Sequence, residues 1–353
     1  MRRGLALTLT VAMLGSLLAG CGSSGGGSAP KADATAAVAP AGGGTEEVTT
    51  PDKVLKFTDQ NAEDSPAGMW EQKFADLVKE YTKGHIEVEL YFNNTLCGYD
   101  IQPLQAGICD FIQYVPSSTG DLDSRLGAFD APYIYRDADH RLAVFDPFNS
   151  EPLKVINEAL KDDGVMLLSS FNSGYRQITC NFPIRNLSDM KGAKIRVVPS
   201  DLYQQLFTAF GAAATPMAFS EVPTALITNV IDGQENPYSV IVSSALYEVQ
   251  KYCMETNHLP TNHGLWMNRN TYESLTPEQQ EAVLKAAYDA SAYMDKYILD
   301  KVEEYKKICE DNGMEIIDAE NGLDIDGFKA AAENVYDYFA EDWGDMPDLI
   351  RAV

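Results

Sequence analysis

From Thr276-Pro277-Glu278-Gln279 to Asn312-Gly313 the chain keeps helical patterning for about 36 residues without a breaker. Thr276 is placed to cap the helix and Pro277 suits its first turn, where a missing N–H costs nothing. At 1.5 Å per residue such a helix is about 54 Å long. That exceeds the width of one small domain, so it has to bridge two bodies. Whatever precedes it must supply both.

The preceding sequence alternates short strands and helices. Val54–Thr58 reads as a strand, followed by a helix over Ala67–Tyr81, where Met69, Trp70, Phe74, Leu77, Val78 and Tyr81 recur at helical spacing before Gly84. His85–Leu90 alternates like a half-buried strand, and a second β-type run covers Ile108–Val115. The aromatic run Phe129–Tyr135, a helix ending near Leu160 and a strand over Val165–Phe171 complete the first half. The second half offers strands at Lys194–Val198 and Ile231-Asp232, helices over Asp201–Phe210 and Val222–Asn229, and a return strand at Leu265–Asn268. A last amphipathic helix spans Phe328–Trp343. This alternation predicts an α/β fold of parallel sheets with helical crossovers.

The first 50 residues stand apart. Arg2 and Arg3 precede a short apolar run, Leu5–Leu18, that ends in Leu18-Ala19-Gly20-Cys21. That pattern predicts an export signal over 1–21, with Cys21 as its lipidated residue, as in the lipobox of bacterial lipoproteins that it resembles. Residues 22–50 are rich in Gly, Ser, Ala and Pro with no apolar period, which predicts a flexible tether. Residues 51–353 are then an extracytoplasmic body tied to the outer face of a membrane by lipid alone. Without Arg2 and Arg3 the rest of the chain holds 25 Lys and Arg against 52 Asp and Glu, a net charge of −27. The excess repels nucleic acid and anionic lipid, so neither is a partner. It also leaves an anionic ligand dependent on local Arg contacts, because distant charges are screened beyond roughly 8 Å. The five further cysteines, at 97, 109, 180, 253 and 309, are an odd number and leave at least one thiol unpaired.

One stretch, Phe171–His258, concentrates groups suited to such a ligand. Arg176 and Arg196 each lie in a short extended run, and Asn236 closes an acidic Gly turn before Pro237. A guanidinium presents a planar fork that meets a carboxylate with two parallel hydrogen bonds. Two forks and an amide make a cradle for a small organic acid. Each residue also has a plainer role: Arg196, between Ile195 and Val197, as the exposed face of an edge strand; Arg176 as a surface or turn residue; Asn236 as a turn former; Phe219 as core. Chemistry is not indicated, since the chain has no nucleophile elbow, P-loop or dinucleotide fingerprint, and a dense set of carboxylates is more simply a solvated surface. Cys253, His258 and His263 match no standard zinc spacing. No cofactor or metal is expected.

The motifs decide among these roles. Gly174-Tyr175-Arg176-Gln177, Asp189-Met190-Lys191-Gly192 with Ile195-Arg196-Val197, Thr215–Val222, Val230–Pro237 and Tyr247–His258 follow one another in order. Upstream lie Phe129-Asp130-Ala131-Pro132-Tyr133, Tyr135-Arg136-Asp137 and His140. Together, from about Lys53 onward, they resemble the extracytoplasmic solute-binding subunit of a tripartite ATP-independent periplasmic (TRAP) transporter, and especially its sialic-acid-binding members. The resemblance implies two discontinuous α/β lobes, with a ligand cleft between them and the long helix bridging both. Lobe I would take about 51–173 and 262–300, lobe II about 174–261 and 301–353. It further implies that Arg196 pairs bidentately with a ligand carboxylate, that Arg176 and Asn236 support it, and that Phe219 packs on the carbon skeleton. Integral membrane TRAP subunits would be the partners of a monomeric protein. An ATP-driven importer or a chemoreceptor would use the same binding fold.

The substrate diverges from the resemblance. The sialic-acid binders carry Asn three residues after their carboxylate-binding Arg, and Pro199 stands there; Val115 and Ser118 replace charged groups. A smaller acid is expected, either a sugar acid such as a hexuronate or a C4-dicarboxylate, with Asp100, Gln60 or Asn61, Tyr114 and Tyr175 as polar contacts from the first lobe. The absence of a further Arg in those segments tilts the choice towards a hydroxylated monocarboxylate.

Overall fold

A computed structural model describes residues 50–353. The predicted leader with Cys21, and the tether up to residue 49, lie outside the described residues. Eleven strands form two sheets. They are β1 (Lys53–Thr58), β2 (Ile86–Tyr91), β3 (Phe111–Tyr114), β4 (Val165–Asn172), β5 (Arg176–Cys180), β6 (Lys194–Val197), β7 (Ala213–Pro216), β8 (Gly233–Pro237), β9 (Tyr252–Met254), β10 (Asn262–Asn268) and β11 (Glu315–Ile317). The first sheet has the order β2-β1-β3-β10-β4 and the second β11-β9-β5-β8-β6-β7. Each sheet is the centre of one lobe.

Both sheets are mixed, whereas alternation alone predicts parallel ones. The pairs β1–β2, β1–β3, β6–β7 and β6–β8 are parallel, but β10 runs antiparallel to β3 and β4, and β5 antiparallel to β8 and β9. The cause is the route of the chain. It leaves the first sheet along β4, enters the second along β5, leaves it along β9 and re-enters the first along β10. Strands that carry the chain out and back at one place must be antiparallel. They form a two-stranded ribbon, held at the crossing by Ser173 N–H to Thr261 C=O (3.0 Å) and Arg176 N–H to Leu259 C=O (2.9 Å). Gly174 turns the outgoing strand with φ +120°, and a Cβ there would stand 3.2 Å from Pro237 Cβ.

The third connection is the long helix, Pro277–Asp311, of 35 residues and about 52 Å. Thr276 and Gln279 form a reciprocal capping box at its start. Ala282, Val283, Ala286, Ala287, Ala290 and Met294 make a narrow stripe, three and four apart, that packs with the helix Pro66–Tyr81 on one face of the first sheet. Its last turns belong to the second lobe, where Cys309 joins the core with Val222, Ile241 and Ile316. The chain then crosses again. The helix Ile325–Tyr338 packs on Asp201–Ala209, with Phe328 edge-on to Phe210 at 5.0 Å. The short helices Ala340–Trp343 and Met346–Arg351 lie against 124–130 and 151–159. Residues 340–351, grouped with the second lobe by the sequence division at 301–353, therefore pack on elements of the first.

Arg141 ties the crossing together. Fully buried, it donates to Asn262 Oδ1 (2.8 Å), Asp295 Oδ2 (2.7 Å) and Ser170 C=O (2.8 Å), while Asp295 Oδ1 accepts from Asn172 N–H (2.7 Å). Four segments thus share one buried ion pair. Removing one partner strands the other charge, so Arg141→Ala is expected to cost about 3–5 kcal/mol in urea unfolding. A loss below about 1 kcal/mol, the scale of an exposed pair, would remove Arg141 from this role.

Candidate functional site

The carboxyl ends of β6, β7 and β8 and the start of β5 lie on one edge of the second sheet, because Arg176 pairs with Pro237 and Arg196 with Gln234 and Thr215. In open α/β sheets this is the edge where ligands bind. β6 sits between β7 and β8, not at an edge, so Arg196 is 3 % exposed where its pattern alone suggests a solvent face. Asn236 lies within β8, since pairing with Gln177 of β5 overrides the turn tendency of Asn-Pro.

Arg176 is committed to a partner. Its Nη2 donates to Glu235 Oε1 (2.9 Å), to the Glu235 carbonyl (2.9 Å) and to Asn236 Oδ1 (3.0 Å), and its Nε pairs with Glu235 Oε2. The Asn236 amide also donates to Gln234 Oε1. Glu235 is fully buried; burial acts to raise its pKa, but the Arg176 charge and the His258 contact outweigh it and hold the carboxylate below its usual range. His258 Nε2 stands 3.3 Å from Glu235 Oε2, and its Nδ1 is 2.8 Å from Thr256 Oγ1. Burial keeps that imidazole neutral, lowering its pKa against the pull of Glu235. Tyr203 covers the Arg176 guanidinium at 5.3 Å.

Arg196 has no such partner. Its Nε (3.0 Å) and Nη2 (2.8 Å) both donate to the Met217 carbonyl, and the Phe219 ring lies 5.7 Å from its guanidinium carbon. Among the described residues no carboxylate comes within ion-pair distance of it, whereas the other buried arginines, Arg141 and Arg176, each have one. Burial lowers its pKa, and the neighbouring Arg176 adds to that effect while Glu235 opposes it. The Nη1 donors of Arg176 and Arg196 make no hydrogen bond within the described residues. Two free donors and one unbalanced positive charge therefore meet at this edge. Phe219 is 38 % exposed, an aromatic face left open beside them.

The first-lobe candidates divide. Gln60 and Asn61 follow the carboxyl end of β1, next to the end of β3; Asn61 Nδ2 donates to Asp59 and lies 3.5 Å from Gln113 Oε1. Tyr114 ends β3 with its ring 4.5 Å from Tyr99, and exposed Asp100 accepts from Gln102 N–H (3.2 Å). These four share one edge. Tyr175 goes elsewhere: it lines a cavity of about 240 Å³ against the long helix, with Asn172, Tyr238, Glu255, Ile298 and Lys306. Arg176, Arg196 and Asn236 do not line that cavity. Glu235 and Tyr203, which pattern reasoning does not single out, surround Arg176 together with His258. The signal for Glu235 was its place beside Asn236 in the same motif.

Residues 57–342 match the model of the family described as bacterial extracellular solute-binding protein, family 7. The chain is 30% identical over 303 residues to the 2,3-diketo-L-gulonate-binding periplasmic protein YiaO of Escherichia coli, covering 85% of this chain and 90% of that one. It is also 30% identical over 261 residues to the C4-dicarboxylate-binding protein DctB of Bacillus subtilis, covering 72% and 74%. A TRAP periplasmic solute-binding protein of Xanthobacter autotrophicus, solved with bound β-D-galacturonate, superposes with a TM-score of 0.71 at 29% identity, covering 85% of this chain and 99% of that one. The chain belongs to the extracellular solute-binding family 7, the organic-acid-binding subunits of TRAP transporters, and is a binding protein, not an enzyme.

Proposed function

We propose that this protein captures a small organic acid, a sugar acid or a C4-dicarboxylate, and delivers it to integral membrane subunits. The ligand carboxylate takes the open donors of Arg196, supported by Arg176 and Asn236, and its carbon skeleton lies on Phe219. Closure of the lobes then buries it. The observation that carries this is the buried Arg196 charge without a counter-ion, since a cation in a desolvated site is costly until an anion meets it. The acids in the names of the relatives agree with it. The Leu-Ala-Gly-Cys sequence ending at Cys21 supports a lipid anchor on the outer face of the membrane.

The two arginines have different jobs, and stability separates them from affinity. In ligand-stripped protein, Arg196→Ala is expected to leave the melting temperature unchanged or higher, because it removes an uncompensated charge. It should weaken acid binding in calorimetry by about 2–5 kcal/mol, roughly 30-fold or more. Arg196→Lys should weaken it too, since the planar fork is lost. Unchanged affinity in Arg196→Ala would sink the assignment.

Glu235→Gln should do the reverse, lowering stability by about 3–5 kcal/mol by stranding the Arg176 charge. Full stability in that variant would mean the pair does not carry the second lobe. Cys21→Ser should abolish labelling by a palmitate analogue in cells, and persistent labelling would exclude Cys21 as the anchor.

A further inference from the structure

A sugar acid and a C4-dicarboxylate differ at the end away from the anchoring carboxylate. One carries hydrogen-bond donors there and the other a second anion. We infer that the first-lobe wall of the cleft, centred on Asp59 with Asn61, Gln113 and Asp100, accepts hydrogen bonds from the far end of the ligand and repels a second carboxylate, so that the solute is a monocarboxylate bearing distal donors. This inference rests on Arg196 as the carboxylate anchor.

Asp59 follows the last residue of β1 and is 1 % exposed. Its Oδ1 accepts from Gln60 N–H (2.6 Å) and Asn61 Nδ2 (3.1 Å), and its Oδ2 from the same amide (2.9 Å). Behind it lies Glu71, fully buried on the helix Pro66–Tyr81, with both carboxyl oxygens lacking any protein donor. Burial first, and the neighbouring Asp59 second, push Glu71 well above the usual carboxyl range, the mark of two acids placed together in a desolvated corner. No Lys or Arg among the described residues is within ion-pair distance of either acid. His263, at the adjoining start of β10, adds no positive charge, because burial lowers it to about 4.

The surroundings strengthen the negative sign. Tyr114 feels the charges of Asp100 and Asp121, both acidic, and Tyr99 that of Asp59. Gln113 is 1 % exposed, yet its Nε2 has no partner among the described residues, nor has Thr58 Oγ1 at the end of β1. Gln113 Nε2, which donates, and Thr58 Oγ1, which donates or accepts, lie in want of partners beside the Asp59 carboxylate, which accepts, and a hydroxyl can meet all three because it does both. A carboxylate brought against this wall would face Asp59 in a desolvated cleft, where like charges repel by several kcal/mol.

The test uses full-length protein stripped of ligand by unfolding and refolding, titrated calorimetrically with D-galacturonate, L-galactonate, 4-aminobutyrate and succinate. The expected result is that one donor-bearing monocarboxylate binds at least about tenfold more tightly than succinate. The arm that leads identifies the donor, hydroxyl for the sugar acids and ammonium for 4-aminobutyrate. Asp59→Asn should shrink the margin to below about threefold, mainly through tighter succinate binding, and exposed Asp100→Asn should move it the same way by less. Succinate binding as tightly as the best monocarboxylate, and lost in Arg196→Ala, would overturn the acidic wall and keep the anchor. An unchanged margin in both Asn variants would overturn it as well. Ligand binding that survives Arg196→Ala would overturn anchor and wall together.

Discussion

The constraint on which this molecule depends is that its chain leaves one sheet and returns to it at the same place. The outgoing β4–β5 and returning β9–β10 segments are hydrogen-bonded across the crossing, so the two lobes share a ribbon and not a loose linker. The long helix runs beside it and is pinned at its middle by Arg141–Asp295 and near its end by Lys306–Glu255 (2.9 Å). Because Arg176 is the first residue of β5, a charged group on the second-sheet edge also stands beside the crossing.

Local charge works against global charge here. The chain carries −25 overall, which disfavours the approach of any acid. At contact distance, however, screening no longer protects the ligand from the nearest groups, and those are what the two sheet edges set. The second-lobe edge carries Arg176 with Glu235, Arg196 and a neutral His258, a net positive contribution. The first-lobe edge carries Asp59 without a cation. The cleft is therefore polar from one wall to the other. On the proposed reading, such a field favours a ligand that is anionic at one end only over a symmetric dianion.

Much of this was legible in the sequence, and what was not has a common cause. The long helix, its Thr276 cap and the strands at 53–58, 86–91 and 165–172 depend on residues three or four apart, or on strict alternation, and local pattern records them. The motifs around Arg176, Arg196 and Asn236 bring together residues that the fold places on one edge of the second sheet. The antiparallel return of β10, the interior position of β6 and the extended state of Asn236 are products of pairing between segments far apart in the chain. So is the Arg176–Glu235 pair, whose members stand 59 positions apart. Nothing in FNSGYRQITC or in VIDGQENP says which arginine will find a carboxylate and which will be left without one.

That asymmetry is the heart of the site. Two bare guanidiniums side by side in a desolvated edge would repel each other and cost more than one carboxylate could recover. Pairing Arg176 with a buried, ionised Glu235 removes one of the two charges while keeping the fork in place, oriented by Glu235, Asn236 and the Tyr203 ring. The charge left over is single, and it belongs to Arg196, whose position is fixed by one backbone carbonyl and one aromatic face. A single carboxylate brings the second-lobe edge to neutrality as the lobes close. A charge pair brought to neutrality is the one that tolerates loss of water, so on the proposed reading the count of charges, and not only the shape of the fork, suits one carboxylate at this edge.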